Sequence, residues 1–465
     1  MQTDAKQIES IVRRVIEQLH SPQRDGENYG VFSTLDDAVA GAQSAYKKIR
    51  TMAQREAIIA AIRRMGSEHV KELSELAVQE TGFGRVEDKI RKHQLVLEKT
   101  PGIESIVPTA VTGDHGLSLI ENAPWGVIAS VTPSTNPSAT ILNNAISMIA
   151  AGNSVVFSPH PAAKAVSQRT VQLINRASES VGGPANLVTC VEEPTIEAAT
   201  RLFSFPGIHL LTITGGEAVV NAARKVTDKR LIAAGPGNPP VVVDETADIE
   251  RAAISIVQGA SFDNNIICVD EKEIIAVESI ASELKTAMCR HGAAEINADQ
   301  ADAVARLVLA GYPGPNPHPK PEWVGRDAEK IAAAAGFNVP AGTRLLVTET
   351  ERDHAFATTE MMLPVIPLIR ARDADQAIDW AVELEAGNHH TAAMHSRNID
   401  NLSRMALEID CSLFVKNGPC LAGLGAGGEG WTSMTISTPT GEGVTNASTF
   451  VRKRRCTMVD SFRIV

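Results

Sequence analysis

Residues 126–157 read GVIASVTPSTNPSATILNNAISMIAAGNSVVF. An apolar, β-branched run is broken by a turn rich in Pro, Ser, Thr and Asn; a helical stretch through residues 141–149 follows, and a second β-rich run, NSVVFSP, closes the unit. Strand, helix and strand in that order predict a parallel sheet covered by helices, because parallel strands need a crossover between them. The pattern continues with a helix over 166–178 and strands over 187–191, 209–214, 229–233 and 241–243, each closed by a Gly-, Pro- or Asp-rich turn. A second α/β segment begins near Gly235, with strands predicted around 273–277, 344–347 and 365–368. Residues 311–325 (GYPGPNPHPKPEWVG) read as a Pro/Gly-rich surface excursion. Upstream, Ala38, Val39 and Ala42, then Ile58, Ile59 and Ile62, then Leu73, Leu76 and Ala77 recur at helical spacing and predict two or three helices between residues 34 and 99; residues 117–121 read as a strand.

The 465 residues exceed what one core of about 250 to 300 residues supports, so two or three domains are expected. A hydrophobic share of 43% and a charged share of 21% belong to an ordinary soluble globular chain. A formal net charge of -11 removes the electrostatic source of non-specific nucleic-acid binding. The one dense basic run, Arg452, Lys453, Arg454 and Arg455, reads as an exposed or intersubunit strand. The six cysteines show neither a CxxC pair nor metal-ligand spacing, which favours a reducing, cytoplasmic setting. No metal is expected: His389, His390 and His395 lack a further ligand and read as structural, or as part of a substrate or CoA channel. Nor does the N-terminus have the apolar run of a signal peptide or membrane span. Residues 1–20 instead form an amphipathic pattern, with Ile8, Ile11, Val12, Val15, Ile16 and Leu19 on one side, followed by a polar linker over 21–30. An appended docking helix and a helix packed on its own domain are equally good readings of it.

Four stretches occur together and in order: TPSTNP at 132–137, TGG at 214–216, FDNNIIC at 262–268 and EMMLPV at 360–365. They resemble the motifs of the aldehyde dehydrogenase superfamily, and the resemblance extends over nearly everything after residue 30. SPHPAAK, ITGGEAVV, AAGPGNPPVVVDETAD, SFDNNIICVDEK and FVKNGPC are similar to the acylating branch, in particular to the acetaldehyde and propionaldehyde dehydrogenases of ethanolamine and propanediol utilisation. The resemblance implies an α/β fold in three parts. These are a Rossmann-type NAD-binding domain over 31–234, an α/β catalytic domain over 235–430 and a β oligomerisation arm combining 110–124 with the C-terminal segment 431–465. It also implies a homodimer or homotetramer, and a bacterial microcompartment whose shell proteins residues 1–20 would engage. The reaction implied is oxidation of a short-chain aldehyde, acetaldehyde or propionaldehyde, with NAD and transfer of the acyl group to CoA.

Cys268 matches the family nucleophile. A thiolate can add to an aldehyde carbonyl, and the thiohemiacetal can expel hydride and leave a thioester. In isolation the same cysteine reads as a buried structural thiol beside Ile266 and Ile267. Cys420, among glycines, reads as an exposed loop and a weaker nucleophile, and Cys411 as a core residue of a strand. Hydrolytic members carry a glutamate that activates water; laying their GGKSP on PGNPP at 236–240 puts it at Ala234, which cannot take a proton, so the thioester awaits the CoA thiol. For the oxyanion, the Cys268 backbone amide and Asn136 are candidates, although the family's asparagine aligns with Thr135; Asn264 and Asn265 read at least as well as turn formers. Thr132, Pro133, Ser134, Thr214, Gly215 and Gly216 are expected to meet the dinucleotide, and Glu360 the nicotinamide ribose. Ser158 and His160 stand where many relatives have a lysine gripping the adenosine ribose. A hydrolytic aldehyde dehydrogenase and a mainly structural microcompartment cargo protein are the alternative readings.

Overall fold

The computed structural model describes residues 28–464. The helix read over 1–20 and residues 21–27 of the linker lie outside the described residues. Tyr29 and Gly30, read with that linker, are pinned to the body: Asn175 Nδ2 donates to Tyr29 O at 2.8 Å and to Val188 O at 2.7 Å. A Cβ on Gly30, at φ +89°, would stand 2.3 Å from that nitrogen.

Three helices lead, Leu35–Tyr46, Met52–Thr81 and Val86–Lys99. Thr34 and Thr51 cap the first two by accepting from Asp37 N and Gln54 N respectively, and Gly82 at φ +69° ends the second in the left-handed conformation. Beyond them lie two parallel sheets. The first has six strands in the order Val31–Phe32, Val188–Val191, Ser154–Pro159, Val127–Thr132, Leu210–Ile213 and Arg230–Ala233. From Val127–Thr132 the chain moves to one side for two strands, then crosses to Leu210–Ile213 on the other side. The crevice between the carboxyl ends of Val127–Thr132 and Leu210–Ile213 is therefore a topological switch point, the place where open α/β sheets bind ligands.

The second sheet has seven parallel strands: Ala293–Glu295, Leu345–Glu349, Val365–Ala371, Glu273–Val277, Pro240–Val243, Thr391–His395 and Leu413–Lys416, in spatial order. Strands such as Val241–Val243 and Ile274–Val277 are almost wholly buried, as parallel strands covered on both faces must be. A separate antiparallel sheet joins Thr109–Gly113, Gly116–Pro124 and Val451–Val459, the last pairing from Val451 opposite Pro124 to Val459 opposite Gly116. Arg452, Lys453, Arg454 and Arg455 are exposed on it. The excursion at 311–325 is folded back in part, His318–Pro319 pairing with Leu309–Ala310. Among the described residues no helix is long and apolar enough to cross a membrane.

Candidate active site

Four segments singled out in the sequence feed adjacent strands of the second sheet. The turn with Cys268 leads into Glu273–Val277, PGNPP into Pro240–Val243, EMMLPV into Val365–Ala371 and the two histidines into Thr391–His395. Because those strands are parallel neighbours, their lead-ins converge at one edge. Gly237 shows how closely: a Cβ there would lie 2.8 Å from Cys268 O and 2.9 Å from the His390 ring. Cys268 keeps part of its surface exposed between buried Ile267 and Val269. A cavity of about 350 Å³ is bordered by Leu95, Phe262, Leu421, Leu424, Met434 and, next to Cys268 in the chain, Ile267. A cavity of about 450 Å³ beside Tyr312, Glu349, His354 and Arg370 lies at the opposite, carboxyl edge of the sheet, away from this chemistry.

The turn before Cys268 carries three successive left-handed residues, Asp263, Asn264 and Asn265, at φ +47°, +57° and +65°. Asn and Asp tolerate that region better than other side-chain-bearing residues, yet three in a row need external support. Every side chain supplies it. Asp263 accepts from Arg85 N at 2.8 Å and from Lys89 Nζ at 3.1 Å, and also from Lys92 Nζ. Asn264 donates to Gly325 O and accepts from Arg85 Nε; Asn265 donates to Ala260 O and Glu271 O. Asn264 and Asn265 are thus turn formers. Gly84 lets Asp263 approach: a Cβ there would fall 1.9 Å from its Oδ1.

The same lysines tie this turn to the first sheet. Lys89 Nζ donates to Thr135 O at 3.3 Å, and Lys92 Nζ to Asn136 Oδ1. The TPSTNP loop, which leaves the carboxyl end of Val127–Thr132, is thereby held against the Cys268 turn. Asn136 Nδ2 makes only a long contact, 3.3 Å, with Thr135 Oγ1. Burial would raise the Asp263 carboxyl pKa, but Lys89 and Lys92 more than offset it and hold it below its ordinary value; burial pulls Lys89 down to about 8.

On the other side of the cleft, Thr132, Pro133, Ser134, Thr214, Gly215 and Gly216 all lie at the switch-point crevice, directly after the two strands that flank it. Thr214 Oγ1 is anchored on Thr435 Oγ1 at 2.7 Å, and a Cβ at Gly215 or Gly216 would meet nothing within 4 Å. Ser158 is buried near the end of its strand, and His160 is exposed just beyond, its Nδ1 accepting from Ala162 N. The small residues and open space at this crevice fit a dinucleotide.

Burial pushes the Cys268 thiol up to about 12; the Glu360 carboxylate acts in the same sense and Lys272 opposes both. Burial also raises Glu360, which Lys272 and the Gly237 N–H counter. His390 is driven down to about 4, by burial first and then by Lys272, so it is neutral at pH 7. Its Nδ1 lies 2.8 Å from Thr391 Oγ1, and its buried Nε2 has no hydrogen-bond partner. The histidine trio is split: His389 is exposed and bonded to Asp410 O, while His395 ends the strand that His390 precedes. Among the described residues no group of three or more His, Cys, Asp or Glu side chains is placed to hold a metal.

Two readings are corrected. Cys420 is fully buried at the start of the short helix Cys420–Leu424, where its N–H donates to Glu271 at 2.7 Å, and burial raises its thiol far above the ordinary value. Cys411 is half-buried in the turn before Leu413–Lys416 and is not part of a strand. The sequence reading also missed Lys89, Lys92, Asp263 and Lys272. Its only local clue was the run Asp263-Asn264-Asn265, three residues of the kind that accept φ > 0.

Residues 29–303 match the aldehyde dehydrogenase family. The chain belongs to that family. Among aldehyde dehydrogenases, it is 60% identical over the full length of both chains to the acetylating acetaldehyde dehydrogenase of Bilophila wadsworthia. The propionaldehyde dehydrogenase of the Clostridium phytofermentans fucose-utilisation microcompartment superposes with a TM-score of 0.91 at 46% identity, covering 94% of this chain and 100% of that one. The Rhodopseudomonas palustris propionaldehyde dehydrogenase, solved with bound CoA and an acylated cysteine, gives 0.90 at 45% identity, covering 94% and 99%. Ala234, buried at the end of the first sheet, stands in this chain where the resemblance places the water-activating glutamate of hydrolytic aldehyde dehydrogenases.

Proposed function

We propose that the protein is a CoA-acylating aldehyde dehydrogenase that converts a short-chain aldehyde, CoA and NAD(P) to acyl-CoA and NAD(P)H, with Cys268 as nucleophile. The observation that carries this is the partly exposed Cys268 at the edge where four parallel strands begin, with the dinucleotide crevice of the first sheet locked opposite it through Lys89 and Lys92. The aldehyde occupies the cavity beside Ile267. The Cys268 sulfur bonds to the carbonyl carbon, and the carbonyl electron pair moves to oxygen, facing the Cys268 N–H and Asn136. The nicotinamide supplies the hydride acceptor. Collapse of the thiohemiacetal leaves a thioester, which the CoA thiol attacks, returning the cysteine as a thiol.

Thr132, Pro133, Ser134, Thr214, Gly215 and Gly216 hold the dinucleotide, Glu360 the nicotinamide ribose, and Ser158 and His160 the adenosine side. Acetaldehyde is the preferred substrate, supported by the 60% identity to an acetylating enzyme, with propionaldehyde second. One methylene separates them, about 1 to 3 kcal/mol in an apolar pocket. Mass spectrometry after Cys268→Ala tests the core of the reading: acyl-CoA formation and the acylated peptide should both vanish while NAD(P) binding persists, and surviving turnover would reject it. A homodimer or homotetramer built through the Val451–Val459 sheet, inside a microcompartment, completes the reading. Residues 1–20 serve there as the docking segment; deleting them should abolish co-sedimentation with shell proteins and leave turnover intact.

A further inference from the structure

The run Asp270-Glu271-Lys272-Glu273 looks like a solvated charge cluster, yet each of the four residues is at most 1% exposed. A buried ammonium is costly unless its hydrogens are all received. Those of Lys272 go to three oxygens, all on the segment before the nucleophile: Asn265 Oδ1 at 2.6 Å, Asn265 O at 3.1 Å and Ile267 O at 3.2 Å. The nearby carboxyls are pushed towards their protonated forms by burial, Glu271 to about 7 and Asp270 and Glu273 well above the usual range, so they do not cancel the lysine's charge fully.

The Ile267 carbonyl matters because it shares a peptide group with the Cys268 N–H. In a trans peptide the C=O and N–H point in opposite directions. A cation on the oxygen fixes the plane of that group and aims the N–H away from the lysine. Ile267 O also receives Asp270 N at 3.0 Å, and the peptide group before it is held by Ile267 N donating to Asp270 Oδ2 at 3.1 Å, so the backbone leading to Cys268 is fixed at two successive peptides. The Cys268 N–H lies beside its own sulfur, where it favours the anion. An aldehyde oxygen must sit there once the sulfur has added to the carbonyl.

We propose that Lys272 is a positioning residue for the reaction: through the carbonyls of Asn265 and Ile267 it aims the Cys268 amide at the developing oxyanion, and its buried charge stabilises the sulfur anion. This rests on Cys268 being the nucleophile. The other titratable groups that act on that sulfur are Glu360 from the lead-in to Val365–Ala371 and Asp270 of the same turn; the His390 ring, from the lead-in to Thr391–His395, packs with the Cys268 carbonyl about Gly237.

The test compares Lys272→Gln, which keeps hydrogen bonding and removes charge, with Lys272→Arg, which keeps charge. Two quantities are read in the full-length enzyme: kcat and KM for acyl-CoA formation, and the pH dependence of Cys268 alkylation by iodoacetamide, followed by peptide mass spectrometry. Loss of one aimed oxyanion donor costs about 10²- to 10³-fold in kcat, so Lys272→Gln should lower kcat by at least about tenfold with KM for NAD(P) within about twofold. Its alkylation midpoint should move up by about one pH unit or more, while that of Lys272→Arg stays within about half a unit of wild type. A folded Lys272→Gln with unchanged midpoint and kcat within about threefold would overturn the inference. Should the glutamine variant not fold, the arginine variant decides, and a full-unit displacement of its midpoint counts against the proposal. Cys268→Ala run in parallel separates the two layers. If turnover survives without the sulfur, the nucleophile reading falls; if it is lost while the lysine variants titrate as wild type, only the role of Lys272 falls.

Discussion

The two sides of the cleft are built by opposite means. On the dinucleotide side, the loops after Val127–Thr132 and Leu210–Ile213 offer small residues, an anchoring hydroxyl pair and open space above Gly215 and Gly216. On the cysteine side, Lys89, Lys92, Asp263, Asp270, Glu271, Lys272 and Glu273 are packed without solvent around three left-handed residues. A cofactor that comes and goes needs a shape left vacant, whereas a nucleophile needs its backbone fixed to fractions of an ångström, and only an over-determined network supplies that.

The contrast can be broken by mutation. Asp263→Ala should have the largest effect: it strands two buried ammonium groups and removes the partner of Arg85 N, and a loss of about 3–5 kcal/mol in urea unfolding is expected. A loss below 1 kcal/mol would mean that the network is not a structural keystone. The two glycines give a sharper comparison. Gly237→Ala forces a methyl group against Cys268 O and the His390 ring, and should cost about 1–3 kcal/mol of stability and lower kcat more than it raises KM for the dinucleotide. Gly215→Ala should leave stability within about 0.5 kcal/mol, because the added carbon meets nothing, and raise KM for NAD(P) alone. Equal kinetic signatures for the two would erase the distinction between the sides.

This difference also decides what could be read from sequence. The alternation around 126–157 made the first sheet visible, and the turn motifs at its switch point are the residues proposed for the dinucleotide. Cys268 was singled out through family resemblance, since a thiol beside two isoleucines is locally indistinguishable from a core cysteine. The charged network was not legible. Asp88, Lys89, Lys92 and His93 sit on the helix Val86–Lys99 at spacings that read as a solvated face, and all four are buried there. The two lysines find their carboxylate some 170 residues away in Asp263, beyond the reach of any local pattern. Cys420 failed for the reverse reason: its glycines serve close packing, and Gly423 presses on Leu413 within the core.

The bridge from Asp263 through Lys92 to Asn136 also limits how the enzyme can breathe. A hinge that swung the two sheets apart would tear both ammonium groups from the Asp263 carboxylate inside a dry interior, a penalty comparable to the stability of a whole domain. On the proposed reaction, ligands are then expected to exchange through local movement of the mouth, over loops such as 214–216, while the floor of the cleft stays shut.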